Sequence, residues 1–562
     1  MKYILSVFIA VPVVLSCLAL PANALSSEEL SNAMSRHLNC LPLQSVVMDE
    51  QEISISKEKL CLAAVYVATG MKPLWVSERG PGENAAVILQ FLENSRTEGL
   101  RPSDYAVQDI LSLWKSRNSD DLARLDTLLT INLIKYAHDV SRGRLMPFKG
   151  DPQLFAEASD RHFKPVQIIK RVLAAQDLAS HLAYLPPSHE YYRKLREALK
   201  EYRDIAAAGN WEKVADGKML HPGDRDERLE QVRKRLEKKG GTEAGGEKEN
   251  SYDDQLVLKV KQFQKSFGLE GDGIIGPKTL AALNRSPEEI VDTIILNMAR
   301  WRWLNIELGR RYILVNIANY ELMAVEEGRR KIEMPVIVGK QQHQTPVFSR
   351  RIQYVDINPF WNIPSSIAAN EELPELRKDQ FYLADRKVRV FSSWEDNAVE
   401  LDSTAIDWQA VSSNDMKRYK LRQDPGPWNA LGKVKFVFPN EYSVYIHGTP
   451  AQELFENNIR DFSHGCIRAS RPLALAEFLL SEEKQEWPLV RIQEIADMGE
   501  RTVVRLSDPV AVHITYQTAW FDNSGEINFN SDVYGRDRRL AEILFATQDS
   551  VTSTDRDFQI DG

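Results

Sequence analysis

Cysteine is scarce in this sequence. The chain has four cysteines among 562 residues, namely Cys17, Cys40, Cys61 and Cys466. No second cysteine lies near Cys466, which stands in the polar stretch HGTPAQELFENNIRDFSHGCIRAS. Because cysteine is rare in this chain and Cys466 lies in a polar stretch, a structural role explains this thiol poorly, and a functional role has to be considered.

The sequence also lacks an excess of basic residues. The formal net charge is −9, and no domain-wide basic face is evident, so nucleic acid is not expected as the main partner. Hydrophobic residues make up 43% and charged residues 27%, an ordinary globular balance. Because 562 residues exceed what one hydrophobic core accommodates, we expect two to four domains.

Long apolar runs are missing after the first 24 residues. Lys2, the apolar run 3–20 and an Ala-Asn-Ala sequence ending at Ala24 have the order typical of a secretory signal peptide. A membrane anchor fits less well because Pro12 interrupts a barely sufficient span. A lipoprotein cysteine at Cys17 is a weak match. We therefore expect cleavage after Ala24, export, and no stable membrane span afterwards.

Export changes what the remaining cysteines mean. Cys17 leaves with the signal peptide, and paired thiols usually become disulfides in an oxidising compartment. Cys40 and Cys61 are close in sequence, so we predict that they form a disulfide. Cys466 is then an odd thiol, which marks it as a candidate reactive residue.

The N-terminal part of the chain reads as helical scaffold. Residues 25–210 carry helical apolar periodicity, clearest at Leu122, Leu125 and Leu129. Ser188 fits the N-cap of a further amphipathic helix. Residues 236–250 are glycine-rich and charged, which indicates a linker or a flexible insertion.

A second pattern covers residues 211–285. Leu256, Val260 and Phe263 mark one helix face, Gly268 fits a helix end, and Pro277 fits the start of the next helix. The stretch resembles the small three-helix peptidoglycan-binding module. The resemblance implies binding to cell-wall glycan or peptide, and the alternative is a purely structural bundle.

The remaining sequence is β-rich. We predict a connecting helix in residues 286–311, a strand-rich domain over 312–508 and a C-terminal extension over 509–562 with a packing role. A polar segment at about 365–423 interrupts the strands and is typical of a lid. The predicted fold class is multidomain α+β: helical scaffold, small three-helix module and β-rich domain with a capping insertion.

The chemistry expected at Cys466 requires three neighbours. A cysteine nucleophile needs a proton acceptor and donors for a developing oxyanion. His447 ends the strand YSVYIH, and we expect it within about 3–4 Å of the thiol. Gly465 permits a close backbone approach, and Arg468 adds positive charge. An inert buried cysteine fits this polar setting poorly.

A metal site is the other alternative at this position. Zinc could in principle bind His447, His464 and Cys466. It ranks below a nucleophile because no second cysteine lies nearby. His464 could serve only to shape the loop.

The same residues carry a family resemblance. His447-Gly-Thr followed by SHGCIR at 463–468 resembles the signature of the L,D-transpeptidases. The stretches VGKQQHQTP, with Thr345, and PGPWNALGKVKF, at 425–436, resemble further elements of that family in the same order. With its helical scaffold, module and insertion, the chain resembles the large multidomain members of Gram-negative bacteria.

This resemblance implies a set of site residues and no metal or cofactor. It implies that Cys466 is the nucleophile, that His447 donates and accepts protons, and that the Gly448 carbonyl orients the imidazole. It implies a backbone oxyanion contact at Gly465. The implied substrate-binding residues are Ser463, His464, Arg468 and Trp428.

The resemblance also implies a reaction. The thiol attacks the carbonyl between diaminopimelate and the terminal D-alanine of a tetrapeptide stem, and a second stem resolves the thioester as a 3→3 cross-link. Hydrolysis by water, attachment of a lipoprotein, or a catalytically dead wall-binding protein remain as alternatives. The implied partners are peptidoglycan stem peptides and glycan, with carbapenem β-lactams as covalent inhibitors, in the periplasm.

Overall fold

The computed structural model describes residues 25–39, 57–144, 163–209, 211–237, 250–304, 308–483 and 486–545. The predicted signal peptide, the side chains of the predicted Cys40–Cys61 disulfide and most of the predicted 236–250 insertion lie outside these residues.

The N-terminal region is helical, as its periodicity predicts. The central helix Ser119–Arg142 is capped by Asn118, whose side chain accepts hydrogen bonds from the next turn, and it buries Leu122, Leu125 and Leu129. A short hairpin joins β1 (Val76–Ser77) and β2 (Gly80–Pro81). The other helices of this region are Ser27–Asn39, Lys57–Ala68, Glu83–Glu93, Val107–Leu113, Pro165–Ala174 and Leu178–Ala183, with 3₁₀ turns at Asn94–Glu98 and Pro102–Tyr105.

Two long helices join the N-terminal region to the rest. The helix Glu190–Ala208 takes His189 as its N-cap, so the predicted cap at Ser188 is wrong by one position. It packs against the helix Pro287–Trp303. This second helix begins with a capping box formed by Ser286 and Glu289. That second helix is buried on most of its faces. The predicted connecting segment is therefore a central element of the core.

The small module has the three predicted helices. They span Arg228–Glu237, Asp254–Ser266 and Pro277–Leu283. Gln264 is buried and holds the intervening turn, since its amide donates to Asp272 and to the Ile274 carbonyl and accepts from the Gly273 N–H. The apolar faces of these helices join the same core as the β-rich domain.

The β-rich domain is one curled, mixed sheet. Its strands pair in the order β13-β5-β14-β12-β11-β6-β15-β3-β4, and β4 also pairs with the first half of β5, which closes the sheet on itself. The strands are β3 (Arg311–Asn316), β4 (Glu321–Glu326), β5 (Arg329–Gly339), β6 (Phe348–Ile357), β11 (Val434–Val437), β12 (Ile446–His447), β13 (Asp461–Ser463), β14 (Ile467–Ala469) and β15 (Thr502–Thr515).

The boundary predicted between 508 and 509 falls inside a strand. β15 runs without interruption from Thr502 to Thr515 and pairs with β6 and β3 on its two sides. The sheet therefore needs residues from the predicted C-terminal extension. The hairpin of β16 (Ala519–Phe521) and β17 (Ile527–Phe529) follows, and the remaining helices are Pro472–Leu480, Leu489–Met498 and Arg536–Leu544.

The polar insertion forms a subdomain, which we call the cap (residues 361–423). It has its own sheet, in the order β7 (Trp361–Asn362), β10 (Lys420–Gln423), β8 (Val388–Phe391) and β9 (Glu400–Leu401). Short helices at Ser365–Ile367, Leu373–Leu376 and Tyr382–Asp385 and a π-helical turn at Ala368–Glu372 cover it. Its apolar side chains form a separate hydrophobic cluster that includes Ile363, Leu373, Met416 and Leu421.

Across the described ranges, no helix combines the length and the apolar content that a membrane crossing requires.

Candidate active site

Two adjacent parallel strands bring the predicted residues together. β12 pairs with β14 so that His447 lies opposite Arg468, and Cys466 directly precedes β14. Because side chains alternate along a strand, Tyr445 shares the His447 face and Cys466 shares the Arg468 face. The Tyr445 and His447 rings are 5.5 Å apart. Thiol, imidazole, guanidinium and phenol therefore meet on one face of the sheet.

His447 is held as a neutral base. Its imidazole is buried, and Nδ1 lies 2.5 Å from the Gly448 carbonyl oxygen. That carbonyl only accepts, so Nδ1 carries the proton and Nε2 is the basic nitrogen. Burial, with the charges of Arg468 and Lys435, lowers the pKa of His447 to about 3. The imidazole is therefore uncharged at neutral pH.

Cys466 is a protonated thiol in the resting site. Burial raises the pKa of Cys466, while the Tyr445 backbone, Lys435 and Arg468 act in the opposite direction. Its Sγ donates to the Ser443 carbonyl at 3.9 Å. The direct thiol–imidazole contact expected from the sequence is not formed in this arrangement, because the thiol lies beside Tyr445 and bonds to Ser443 instead.

The loop before the thiol is fixed by its own polar atoms. The Ser463 hydroxyl donates to the Cys466 carbonyl at 2.5 Å and accepts from the Gly465 N–H at 3.1 Å. Gly465 has φ +109°, a conformation that residues with a side chain rarely adopt. In the resting loop its N–H is bonded to Ser463, and the oxyanion contact expected at Gly465 stays a prediction. Ser463 is buried and shapes the loop.

A second layer of residues anchors this loop from behind. The Thr345 hydroxyl donates to the Gly465 carbonyl and accepts from the Gly339 N–H, both at 2.9 Å. Tyr534 donates its hydroxyl to the Gly339 carbonyl and accepts from the Thr345 N–H. The C-terminal extension therefore supports the loop 463–466 that carries Cys466. Sequence reasoning missed Tyr534.

A row of charges crosses the sheet into the site. Lys435 lies between His447 on β12 and Asp356 on β6, and Asp356 forms a two-contact ion pair with Arg501 at 2.8 and 2.9 Å. The Lys435 ammonium lies 3.9 Å from the Tyr445 ring centre. Burial lowers the pKa of Lys435. Alternation in the stretch KVKF was the only sequence signal for this residue.

Arg468 has capacity left for a ligand. Its Nε is buried without a hydrogen-bond partner, and no ion pair to Arg468 occurs within the described residues. Burial lowers the pKa of Arg468, while Cys466 acts in the opposite direction. An anionic group beside the thiol would satisfy this guanidinium.

His464 faces the cap, away from the other predicted site residues. Its Nε2 lies 2.5 Å from Glu371 in the π-helical turn of the cap, and its ring packs 5.1 Å from that of His343. The zinc alternative requires His464 to join His447 and Cys466, and this pairing directs it elsewhere. In the described part of the chain, no group of three or more His, Cys, Asp or Glu is placed to hold a metal ion.

Trp428 lies in the loop between β10 and β11. It is half exposed, its ring lies against Gly426, and its carbonyl accepts from Gln423. None of these contacts reaches the thiol. A cavity of about 880 Å³ lies along this loop and is also lined by Thr449 and Ser470, which follow the catalytic strands.

Three segments of the chain match models of known protein families. Residues 310–510 match the model described as "L,D-transpeptidase catalytic domain". Residues 225–283 match "Putative peptidoglycan binding domain", and residues 61–199 match "Scaffold domain". The chain thus carries an L,D-transpeptidase catalytic domain together with a peptidoglycan-binding domain and a scaffold domain.

A curated relative agrees with that assignment. The chain is 33% identical over 233 residues to a protein of Haemophilus influenzae named "Putative L,D-transpeptidase". The match covers 41% of this chain and 46% of the relative, so it spans about half of the relative's length.

Solved structures give weaker likenesses. An L,D-transpeptidase from Stackebrandtia nassauensis aligns at 13% identity with a TM-score of 0.20, covering 54% of this chain and 95% of that one. L,D-transpeptidase 3 from Mycobacterium tuberculosis, in complex with a faropenem-derived adduct, aligns at 12% identity with a TM-score of 0.18, covering 37% of this chain and 60% of that one.

Proposed function

We propose that the protein is a cysteine acyltransferase that cross-links peptidoglycan stem peptides. Cys466 would take the acyl group of a tetrapeptide stem as a thioester, and a second stem would resolve it as a 3→3 cross-link. The observation that carries this proposal is the shared sheet face of Cys466 and His447, with the imidazole oriented by Gly448 and flanked by Lys435 and Arg468.

The first half-reaction follows from the protonation states. Once Sγ turns from the Ser443 carbonyl toward the imidazole, Nε2 of His447 removes the thiol proton as Sγ forms its bond to the carbonyl carbon between diaminopimelate and D-alanine. The tetrahedral intermediate collapses, the imidazolium returns the proton to the departing amine, and D-alanine leaves. The imidazolium formed in between is the acid that protonates that amine.

Two features stabilise the charges that develop. Lys435 and Arg468 lie near the sulfur and act to lower the pKa of Cys466, so they favour the thiolate over the thiol. We propose the backbone N–H of Cys466 as a donor for the oxyanion, since the Gly465 N–H is bonded to Ser463 in the resting loop.

The site also offers a feature that suits an anionic peptide. The unsatisfied Nε of Arg468 fits a stem carboxylate. We assign a stem carboxylate to this guanidinium.

In the second half-reaction, the side-chain amine of a second stem attacks the thioester carbonyl. His447 accepts the amine proton and returns it to the sulfur as the thioester opens, which regenerates the thiol. Water in place of the amine would give a tripeptide, and a lipoprotein amine would give an anchored lipoprotein.

The other domains suit a wall substrate. The peptidoglycan-binding domain would hold glycan or peptide near the catalytic sheet, since the two share one hydrophobic core.

We propose that the protein acts in the periplasm after signal cleavage at Ala24. N-terminal sequencing of the protein recovered from the periplasm tests this location, and an intact N-terminus in the cytoplasm would contradict it.

The reaction itself is tested with purified protein and tetrapeptide muropeptides. Mass spectrometry should find dimers joined through two diaminopimelate residues with the wild-type protein and none with Cys466→Ala. Free tripeptides without dimers would assign the carboxypeptidase reaction instead. Dimers formed by Cys466→Ala would exclude the proposed nucleophile.

Carbapenem capture gives an independent measure of the first half-reaction. A carbapenem should add its mass to the wild-type chain at Cys466, and His447→Ala should slow this acylation by about a hundredfold or more, as expected for loss of a general base. Adducts on another residue would contradict the assignment.

A further inference from the structure

Two adjoining cavities lie in the N-terminal half, away from the active site. Their volumes are about 680 and 570 Å³, and Thr97 and Arg196 line both, so they share a wall and form one groove. The groove runs between the turn Asn94–Glu98 and the helix Glu190–Ala208, at the seam between the two large hydrophobic clusters.

One end of the groove is basic in a chain of net charge −9. Two of its cations are neutralised nearby, Arg196 by Glu98 at 2.9 Å and Lys200 by Asp204 at 2.7 Å. The cations that line this end are Arg96, Arg193, Arg196, Lys200 and Arg203, against the carboxylates of Glu197 and Asp204. The end therefore carries an excess of positive charge.

Arg96 and Arg203 concentrate this excess. The Arg203 guanidinium donates to the Arg96 backbone carbonyl, and neither side chain forms an ion pair within the described residues. Arg203 is half buried, and both burial and the Arg96 charge lower its pKa. A half-buried guanidinium that lies near a second cation is stabilised by a bound anion.

The opposite end of the groove is mixed, with apolar side chains beside polar ones such as Gln90, Asn94 and Ser180. Phe91, Leu182 and Pro186 line it, and Tyr184 beside it is 84% exposed. Tyrosine and arginine are the residues that most often anchor protein–protein contacts. An occupant that spans both ends therefore combines acidic groups with an apolar side chain.

The walls of the groove are fixed before any ligand binds. Glu98 is buried on one wall, accepts from the Tyr192 hydroxyl at 2.7 Å and pairs with Arg196 on the other wall. Arg302 donates to the same hydroxyl at 2.7 Å. A preformed groove loses little conformational entropy on binding.

We infer that this groove binds an acidic polypeptide segment with an apolar anchor, supplied by a partner protein. The apolar side chains of the mixed end and the exposed Tyr184 favour a protein over a wall stem. The inference is independent of the proposed catalytic function.

The probe is a fluorescein-labelled ten-residue peptide with six glutamates around a central Leu-Trp-Leu, tested on the full chain by fluorescence anisotropy. The double variant Arg96→Glu/Arg193→Glu should weaken its binding by about tenfold or more, since both side chains are exposed and lie at the basic end. The matched control Lys170→Glu/Arg171→Glu makes the same charge change on exposed residues outside the groove and should bind as the wild type does. Tyr184→Ala should weaken binding about threefold.

Three outcomes would overturn the inference. The first is a loss of probe binding in the control variant as large as that in Arg96→Glu/Arg193→Glu. The second is an all-glutamate peptide without the apolar centre that binds as tightly as the probe. The third is full displacement of the probe by soluble tetrapeptide muropeptide. The last result would make the groove a site for wall peptides. Thermal melting of each variant shows that a loss of binding is not a loss of fold.

Discussion

The catalytic loop and the cap are built in opposite ways. The loop around Cys466 is tied down by Ser463, Thr345 and Tyr534, all of them buried. The cap has its own sheet and its own hydrophobic cluster. Its polar contacts with the loop and with β12 include Glu371 to His464 and Trp361 to Tyr445. The loop is therefore fixed to the main domain by buried hydrogen bonds, whereas the cap has a core of its own.

We expect the largest loss of acylation rate from a substitution that strains the backbone of the loop around Cys466. Gly465→Ala places a side chain on a backbone with φ +109°, which costs about 1–3 kcal/mol or displaces the loop. We expect carbapenem acylation to slow by about a hundredfold, since small displacements of reacting groups have effects of that size. Rapid-mixing mass spectrometry measures the rate.

Gly499→Ala is the matched control, because Gly499 also has positive φ, with no neighbouring atom within 4 Å of an added Cβ. It should lower stability by about 1 kcal/mol and leave acylation near the wild-type rate. Equal losses of rate in the two variants would mean that the loop geometry is not what matters.

A smaller effect should follow from removing a charge behind the thiol. Lys435→Met keeps the apolar stem but removes the ammonium that favours the thiolate. We expect acylation to slow by about tenfold. Lys433→Met, two positions away and paired with Asp497 at the surface, should have little effect. An unchanged rate in Lys435→Met would remove Lys435 from the mechanism.

On the cap side, we expect an effect that depends on substrate size. Glu371→Gln weakens the contact with His464, so the cap should hold long stems less well. Cross-linking of muropeptides should fall about threefold while acylation by a small carbapenem stays unchanged. Glu375→Gln is the control, since the Glu375 carboxylate pairs with Lys378 at the cap surface. Equal loss of both reactions would indicate a disturbed fold.

The smallest effect concerns pH, since we expect the acylation rate to change little between pH 8 and pH 5. The pKa of His447 is lowered to about 3, so the imidazole stays in its neutral, basic form as the pH falls from 8 to 5. Acylation should therefore be nearly flat over this range and decline only at lower pH. A half-loss near pH 6.5 would contradict this.

Short-range patterns carried much of the sequence interpretation. The alternation of YSVYIH predicted a strand ending at His447, and the strand does end there but spans only Ile446–His447. The position of Gly465 predicted a tight loop, which occurs. The three helices of the module were predicted because their apolar spacing and turn residues are local. The Gly448 carbonyl lies where the family resemblance implied.

What the sequence could not predict depends on contacts between distant positions. Thr345 and Tyr534 meet behind the loop only because β5 and the C-terminal segment fold against it. The strands of the cap are not evident from the sequence because they span only two to four residues, too short for a clear period. The domain boundary at 508/509 failed because β15 continues through it.

The central claim is that a covalent intermediate forms on one thiol of a fixed loop. Intact-protein mass spectrometry after rapid mixing with tetrapeptide muropeptide tests it most directly. We predict a tripeptide acyl group on Cys466 in the wild-type chain, its disappearance when an acceptor stem is added, and no adduct in Cys466→Ala. Cross-linking without any acylated protein, or an adduct that persists in Cys466→Ala, would contradict the account.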